Sequence, residues 1–221
     1  MSRAALLVIA KAPVPGRVKT RLSPPCTPEQ AAGLAAAALE DTLAAVAAAG
    51  GDRRRVLVLD GPAAALPGGG PPSGFEVIPQ RGDGLAERLA AAFADAGGPA
   101  LLVGMDTPQL TPGLLDAGLA ALEGEGAQAV LGAAGDGGYW TIGLRVADPR
   151  VFEGVPMSVE TTGTAQRDRL AALGLGVAEL PPLLDVDTIE DARAVAELAP
   201  HTRFATALGG LALPLEAGAV S

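Results

Sequence analysis

The strongest constraint on the fold is a regular alternation between short apolar segments and segments whose apolar residues recur at helical spacing. Residues 4–10, 55–59 and 100–104 are almost entirely apolar, which predicts strands buried on both faces of a sheet. Leu85–Ala96 repeats its apolar residues at helical intervals, which predicts an amphipathic helix. The alternation predicts an α/β protein in which helices cover both faces of a mostly parallel sheet.

The remaining segments continue this pattern. Further strands are predicted at residues 75–78, 127–132 and 177–180, and within 136–143 after a turn. Further helices are predicted at residues 27–49, 111–124, 164–173 and 188–198. The first of these helices begins with an N-cap, a proline and a capping-box glutamine, in the run Thr27-Pro28-Glu29-Gln30.

Length and composition limit the class of protein. At 221 residues the chain fits one domain, predicted at residues 1–200, with residues 201–221 as a tail that packs on the domain or at a homodimer contact. The single cysteine, Cys26, cannot form an intramolecular disulfide, which is typical of a reducing compartment. No apolar segment is expected to approach the ~20 residues that cross a bilayer. The sequence therefore predicts a cytoplasmic protein with no membrane partner.

The basic residues are concentrated near the amino end. The net charge of −9 argues against nucleic-acid binding, yet Met1 to Pro28 contains no acidic residue. The bases of this segment are Arg3, Lys11, Arg17, Lys19 and Arg21. All of them except Arg3 follow the first predicted strand, in a loop where Gly16 allows close backbone approach. This segment therefore predicts a site for a small polyanion such as a phosphate chain. The alternative is a solvated basic turn.

Charged residues also follow other predicted strands, at the edge where ligands bind in parallel sheets. Besides Lys11, these residues are Asp60, Asp106 and Asp185. Asp106, in Gly104-Met105-Asp106-Thr107-Pro108, is a candidate Mg²⁺ ligand, because Mg²⁺ binds one or two carboxylates together with substrate phosphates. Its alternative role is that of a turn residue before Pro108.

Two late aspartates have the spacing of a shared cation site. Asp185 and Asp187 lie on one side of the chain if this segment is extended, so that both could contact one divalent cation. The alternative assigns Asp187 or Thr188 to the N-cap of the last predicted helix, with Asp191 in its first turn.

Two further segments are candidate ligand contacts. Asp136-Gly137-Gly138-Tyr139-Trp140 contains the only tyrosine and tryptophan, which predicts a pocket for a sugar or another acceptor, or else a turn followed by core aromatics. Gln80 and Arg88 flank a turn that leads into a helix, whose N-terminus can receive an anion. Arg88 could instead form an ion pair or face solvent.

Five segments in this order, residues 10–22, 80–88, 104–110, 136–143 and 184–191, resemble the DUF2064 family, the "transferase 1" group of glycosyltransferase-A-like proteins. That family is part of the nucleotide-diphospho-sugar transferase superfamily, together with molybdopterin and phospholactate guanylyltransferases. The resemblance implies a Rossmann-like sheet of the glycosyltransferase-A type. It also implies that Arg17, Lys19 and Arg21 bind nucleotide phosphates and that Asp106, with Asp185 and Asp187, binds Mg²⁺ or Mn²⁺.

The leading functional hypothesis is a metal-dependent nucleotidyltransferase. It would join a nucleoside triphosphate to a small phosphorylated or carboxylated acceptor and release pyrophosphate, with Lys19, Asp106 and Asp136 as catalytic residues. The first alternative is glycosyl transfer from a nucleotide-sugar, for which Asp136 is the candidate acceptor-side base. The second alternative is a nucleotide or sugar-phosphate binding protein without catalysis. Acceptor contacts are expected from Gly137, Gly138, Tyr139 and Trp140, and nucleotide contacts from Lys11, Gly16, Gln80 and Arg88 as well as from the basic loop.

Overall fold

A computed structural model describes residues 3–70 and 72–213. Its strands are β1 Ala5–Lys11, β2 Arg55–Asp60, β3 Glu76–Pro79, β4 Ala100–Val103, β5 Ala129–Ala134, β6 Tyr139–Leu144 and β7 Val177–Leu183. Its α-helices are α1 Pro28–Ala48, α2 Leu85–Ala96, α3 Pro112–Glu123, α4 Thr162–Ala172, α5 Ile189–Leu198 and α6 Arg203–Gly209. The predicted α/β alternation is confirmed.

The strands form one sheet in the order β3-β2-β1-β4-β6-β5-β7. Strand β6 is antiparallel to both of its neighbours, whereas the other pairings are parallel. Because β6 runs in the opposite direction, its first residues, Tyr139 and Trp140, lie at the edge where the neighbouring β4 ends. The reversed strand thus brings the aromatic pair to the carboxyl ends of the parallel strands.

The core has a layer on each face of the sheet. Leu6 and Val8 of β1 pack with apolar residues of α1 and α3, whereas Ala5 and Leu7 pack with residues of α2 and α4 on the opposite face. This two-residue alternation is the geometry of a strand. Helices α5 and α6 pack with the outer side of α1 in a third apolar cluster.

Helix starts follow the sequence signals closely. Thr27 and Gln30 form the expected capping box of α1, and Thr188 with Asp191 forms another at α5, so Thr188 rather than Asp187 is the N-cap. Helix α6 lies within the predicted tail and packs on α1, where the buried carboxylate of Asp41 accepts the backbone N–H of Phe204 at 2.9 Å. Residues 214–221 of the tail lie outside the described part of the chain.

Helix α1 corrects one expectation from the sequence. It has 21 residues and is apolar enough, by length and composition alone, to cross a membrane. The short apolar runs within it are separated by polar residues such as Thr42 and Asp41, which hid its overall apolar character. Most of its apolar positions are buried in the core between the sheet and α5, as in a core helix of a folded domain.

Candidate functional site

Two adjoining cavities open at the carboxyl ends of the parallel strands. We name the first, of about 640 Å³, the large cavity. We name the second, of about 240 Å³, the acidic cavity. Both are lined by Leu85, Gly104, Asp106, Tyr139, Trp140 and Ser158. Asp106 therefore lies in the wall that the two cavities share.

The large cavity is lined by basic residues that were predicted from the sequence as phosphate contacts. Its five basic lining residues are Lys11, Arg17, Lys19, Arg21 and Arg88. Gly16 is exposed and lines neither cavity. Its φ of +75° is the left-handed conformation that the turn requires. The loop from Lys11 to Arg21 thus contributes side chains to the cavity, and Gly16 gives the loop its shape.

Lys19 is the most constrained of these cations. Its ammonium forms an ion pair with Asp106 and donates to the carbonyl oxygen of Val186. Its side chain is only 10% exposed, while its backbone adopts a left-handed conformation with φ of 48°. Two of its three N–H donors are used by these contacts, which leaves one for a ligand in the large cavity. The segments containing Lys19 and Asp106, far apart in sequence, meet at one point.

The guanidinium of Arg88 forms hydrogen bonds with other side chains of the protein. Its Nη1 donates to Asp60 Oδ2 at 3.0 Å and to Gln80 Oε1 at 3.3 Å. The amide nitrogen of Gln80 in turn donates to the backbone oxygens of Ala10 and Val58, at 2.8 and 3.2 Å. Gln80 lines the large cavity, but these contacts use both amide hydrogens, so its observed contacts position Arg88.

The N-terminus of α2 already has an acidic partner. The backbone N–H of Asp83 donates to the carboxylate of Glu87 at 2.7 Å. Gly84 is the N-cap and provides no side-chain cap, so Glu87 supplies the negative charge that favours this end of the helix. An anion was predicted to bind at this turn, and the carboxylate of Glu87, a residue of α2, lies there.

The acidic cavity contains three carboxylates, those of Asp106, Asp136 and Asp185. The backbone N–H of Asp136 donates to Asp185 Oδ1 at 3.2 Å. Burial, followed by the negative charge of Asp136, raises the pKa of Asp185 above its ordinary value. Asp187, in contrast, lines the large cavity and forms an ion pair with Arg21. Asp185 and Asp187 therefore line different cavities and take different partners in the segment that follows β7.

The donor set at this wall is suitable for a divalent cation. Asp106 and Asp185 line the same cavity, and carboxylate oxygens are the ligands that Mg²⁺ and Mn²⁺ prefer. Within residues 3–70 and 72–213, no three histidine, cysteine or acidic side chains form a closed metal cluster. Such a partial set is typical of Mg²⁺ sites that substrate phosphates and water complete.

Both aromatic residues line the two cavities, and their polar atoms form hydrogen bonds within the protein. The hydroxyl of Tyr139 donates to Gln166 Oε1 at 3.3 Å, and Gln166 is fully buried. Burial also raises the pKa of Tyr139. Trp140 Nε1 donates to the carbonyl oxygen of Pro181 at 3.0 Å. The hydroxyl of Tyr139 and the indole N–H of Trp140 are therefore used within the fold.

The two glycines before Tyr139 have different surroundings. Gly138 lines the acidic cavity, whereas Gly137 does not. A Cβ added at Gly137 would lie 2.0 Å from the carbonyl oxygen of Glu160, and its φ is +86°. The close approach that Gly137 permits is therefore to the segment before α4, and not to a ligand.

Sequence reasoning did not single out several lining residues of the acidic cavity, among them Thr107 and Ser158. Thr107 is 2% exposed, and its hydroxyl has no hydrogen-bond partner. Its position directly after Asp106 was the only available signal. Ser158 lines both cavities with a left-handed φ of 60°, which nothing in the sequence indicates.

Similar folds occur among solved structures. A candidate nucleotide-diphospho-sugar transferase from Desulfovibrio desulfuricans G20 is 27% identical, with a TM-score of 0.84 over 95% of each chain. A nucleotidyl transferase from Methanothermobacter is 17% identical, with a TM-score of 0.60 over 89% of this chain and 98% of that chain. A CMP:2-keto-3-deoxy-manno-octonic acid synthetase complexed with CTP is 14% identical, with a TM-score of 0.59 over 90% and 99%. The chain therefore has the three-layer, Rossmann-like fold of the glycosyltransferase-A type.

Comparison with curated proteins gave no match. The model of the family described as "Uncharacterized protein conserved in bacteria (DUF2064)" matches residues 42–159, which is more than half of the chain. This match includes Asp106, the Asp136–Trp140 segment and Ser158, and it agrees with the resemblance found in the sequence motifs. The chain therefore belongs to the DUF2064 family.

Proposed function

We propose that this protein is a metal-dependent nucleotidyltransferase, which binds a nucleoside triphosphate in the large cavity and an acceptor in the acidic cavity. The observation that carries the proposal is the wall between the cavities. Five cations line the large cavity, and one of them, Lys19, forms the ion pair with Asp106 at the shared wall. Two further carboxylates line the acidic cavity. A triphosphate chain needs that concentration of positive charge, and the acceptor needs access to its α-phosphorus from beyond the wall.

The charged side chains have distinct roles in this proposal. Lys19 contacts a phosphate oxygen with its remaining N–H donor, while the more exposed Lys11, Arg17 and Arg21 hold the rest of the chain of phosphates. Asp106 and Asp185 would hold the divalent cation, with Asp187 a candidate from the large cavity, and the cation would supply neutralisation of phosphate charge. Positioning and charge neutralisation are the main requirements of phosphoryl chemistry.

The proposed transfer forms one bond at the α-phosphorus and breaks another. An acceptor oxygen forms a bond to the α-phosphorus, the bond from that phosphorus to the bridging oxygen breaks, and pyrophosphate leaves. Where the acceptor group is a hydroxyl, its proton passes to the carboxylate of Asp136 and then to water. Asp136 suits this role because it lines the acidic cavity and is exposed, and only its Oδ1 is used, by the backbone N–H of Gly138 at 2.7 Å.

Glycosyl transfer from a nucleotide-sugar is the second candidate. It is favoured by the position of Asp136 on the acceptor side, where inverting transfer needs a base, and by the name of the Desulfovibrio relative. In this reaction the acceptor oxygen forms a bond to the sugar carbon, and a nucleoside diphosphate leaves.

Product identification separates these functions. Phosphorus NMR would follow the full-length protein with Mg²⁺, an acceptor panel, and either a nucleoside triphosphate or a nucleotide-sugar. Pyrophosphate that forms only when acceptor is present supports nucleotidyl transfer, whereas a nucleoside diphosphate released from a nucleotide-sugar supports glycosyl transfer. Nucleotide binding without either product over the whole panel would contradict both and leave a non-catalytic binding protein.

A further inference from the structure

A carboxylate lies beside the cations of the large cavity without lining that cavity. Asp60 is the last residue of β2, and it lines a small neighbouring cavity of about 80 Å³ together with Lys11 and Arg17. Negative charge at this place reduces the attraction of the large cavity for a polyanion. Asp60 is thus a charge whose direct effect opposes nucleotide binding, and its contacts indicate a different role.

The ends of β2 and β3 fix the backbone of Asp60 and Gln80. These strands are parallel neighbours, and the backbone N–H of Gln80, directly after β3, donates to the carbonyl oxygen of Leu59 at 2.9 Å. The carbonyl oxygen of Asp60 accepts the backbone N–H of Ala12 at 2.8 Å. The side chains of Asp60 and Gln80 therefore extend from hydrogen-bonded backbone, and both accept from Arg88.

Three acceptors within the protein use three of the five N–H donors of Arg88. Its Nε donates to the carbonyl oxygen of Gly82 at 3.2 Å, and its Nη1 donates to the side chains of Asp60 and Gln80. The two remaining donors are both on Nη2, which forms no hydrogen bond within residues 3–70 and 72–213. Because Arg88 lines the large cavity and is 28% exposed, the fixed guanidinium offers these two donors to a ligand of that cavity.

These contacts give the acidic residue a role in binding. We propose that Asp60 is a positioning residue of the nucleotide site, which holds Arg88 so that Nη2 donates to an acceptor oxygen of the bound nucleotide. An arginine that is ordered before binding loses less conformational freedom when the ligand arrives. This inference rests on the proposed function, because the ligand of Arg88 is the nucleotide of that reaction. It adds a residue that lies outside the large cavity and acts through another side chain.

The sign of one substitution distinguishes positioning from charge. Asp60→Ala removes an acceptor of Arg88, so nucleoside triphosphates should bind more weakly, although the loss of a negative charge beside a cationic cavity would by itself strengthen their binding. The matched control is Asp83→Ala. Asp83 is exposed and lines the large cavity, and its carboxylate forms no hydrogen bond or ion pair in the part of the chain that the structure describes.

Isothermal titration calorimetry of the full-length protein measures these affinities, with Mg²⁺ and each of the four common ribonucleoside triphosphates. We expect the dissociation constant of Asp60→Ala to be about 3–10-fold above that of the wild type, the scale for ordering one long side chain. Asp83→Ala should bind as tightly as the wild type or more tightly. The inference is overturned if Asp60→Ala binds no more weakly than the wild type, or if Asp83→Ala shows an equal loss.

A second background separates positioning from damage to the fold. In Arg88→Met the partner of Asp60 is absent, so the addition of Asp60→Ala should not weaken nucleotide binding further. An equal loss of affinity in both backgrounds would assign the effect to the fold around β2 and would also overturn the inference.

Hydrogen exchange at Arg88 tests the positioning without a nucleotide. The Nε–H resonance of Arg88, followed by ¹⁵N NMR, should exchange with water several-fold faster in Asp60→Ala than in the wild type, and an unchanged rate would contradict the role of Asp60. If no triphosphate binds to the wild type, the proposed function and the nucleotide contact of Arg88 are both contradicted. Nucleotide binding that Asp60→Ala leaves intact would contradict only the positioning role.

Discussion

Among residues 3–70 and 72–213, Asp106 alone lines both cavities and pairs with the ammonium of Lys19. Asp106→Asn keeps the side-chain shape and removes the negative charge, so turnover is expected to fall by about 10²–10³-fold, the scale for loss of one electrostatic group. The matched control is Asp168→Asn, an exposed change on α4 that lines neither cavity. Near-normal turnover of Asp106→Asn with the identified substrates would contradict the role given to this carboxylate.

The hydroxyl of Tyr139 should matter for stability and not for catalysis. Because it donates to buried Gln166, Tyr139→Phe is expected to lower the free energy of unfolding by about 1 kcal/mol and leave turnover within about twofold. Urea denaturation and steady-state kinetics on the same preparation measure both. A tenfold loss of turnover at unchanged stability would mean that the hydroxyl acts on a substrate.

An ion pair remote from the cavities should make stability depend on pH. Arg53 binds Glu123, with Nη2 to Oε2 at 2.9 Å, and Ala4 N–H donates to the same carboxylate at 2.9 Å. The hydrogen bond from Arg53 lowers the pKa of Glu123 to about 2, below its ordinary value of 4.5. The stabilisation is therefore complete above about pH 4.5 and is lost as the pH falls towards about 2.

Glu123→Gln tests this linkage. At pH 6 the variant should unfold with a free energy about 1–2 kcal/mol lower than the wild type, a figure reduced for solvent screening because a third of the Glu123 side chain is exposed. At pH 2.5 the two proteins should differ much less. A difference that stays constant between these pH values, in urea denaturation, would show that Glu123 keeps no depressed pKa.

For single residues, the sequence predicted many that line the cavities, but it did not predict all of their contacts. Lys11 ends β1, and Asp106 and Asp185 follow β4 and β7, so their shared edge could be predicted from the direction of the sheet. The separation of Asp185 from Asp187 could not, because the chain has left β7 and only tertiary contacts with Asp136 and Arg21 decide where each carboxylate points. Thr107 could not be singled out from the sequence, because its burial and its unpartnered hydroxyl arise from tertiary packing.

At the scale of elements, adding a methyl group at two different glycines should change the free energy of unfolding in opposite directions. Gly33 is exposed in α1, and a Cβ there meets no atom within 4 Å, so Gly33→Ala should raise the free energy of unfolding by about 0.5–1 kcal/mol. Gly137 has a φ of +86° and its Cβ would collide with Glu160, so Gly137→Ala should lower it by at least about 2 kcal/mol. Thermal or urea denaturation measures both; equal effects would contradict the turn geometry that positions Asp136.

The elements themselves were largely predictable. Apolar runs and N-cap signals gave all seven described strands and the helices α1 to α5, because burial and backbone satisfaction are local requirements. Helix α6 was missed because its short segment carries no clear period, and its docking depends on contacts with Asp41 and α1. The apolar character of α1 was also underestimated, since it is distributed over a long alanine-rich stretch.

For the whole molecule, the central feature is the meeting of the amino-terminal cations with Asp106 at one cavity wall. The fold makes this possible because β1 and β4 are adjacent and parallel, so the segments that follow them emerge at the same edge. Sequence patterns predicted that edge. The division into a cationic and an acidic cavity depends on the reversed strand β6 and could be seen only in three dimensions.

The most direct measurement is the thermal unfolding midpoint with each nucleoside triphosphate and Mg²⁺, for wild type and for Lys19→Met. At a ligand concentration of about 100 times the dissociation constant, binding stabilises the native state by about 2.7 kcal/mol, or an upward shift of about 5–10 °C for a chain of this size. We expect such a shift for at least one triphosphate in the wild type, a smaller shift without Mg²⁺, and almost none in Lys19→Met. No shift with any triphosphate, or an equal shift in Lys19→Met, would contradict it.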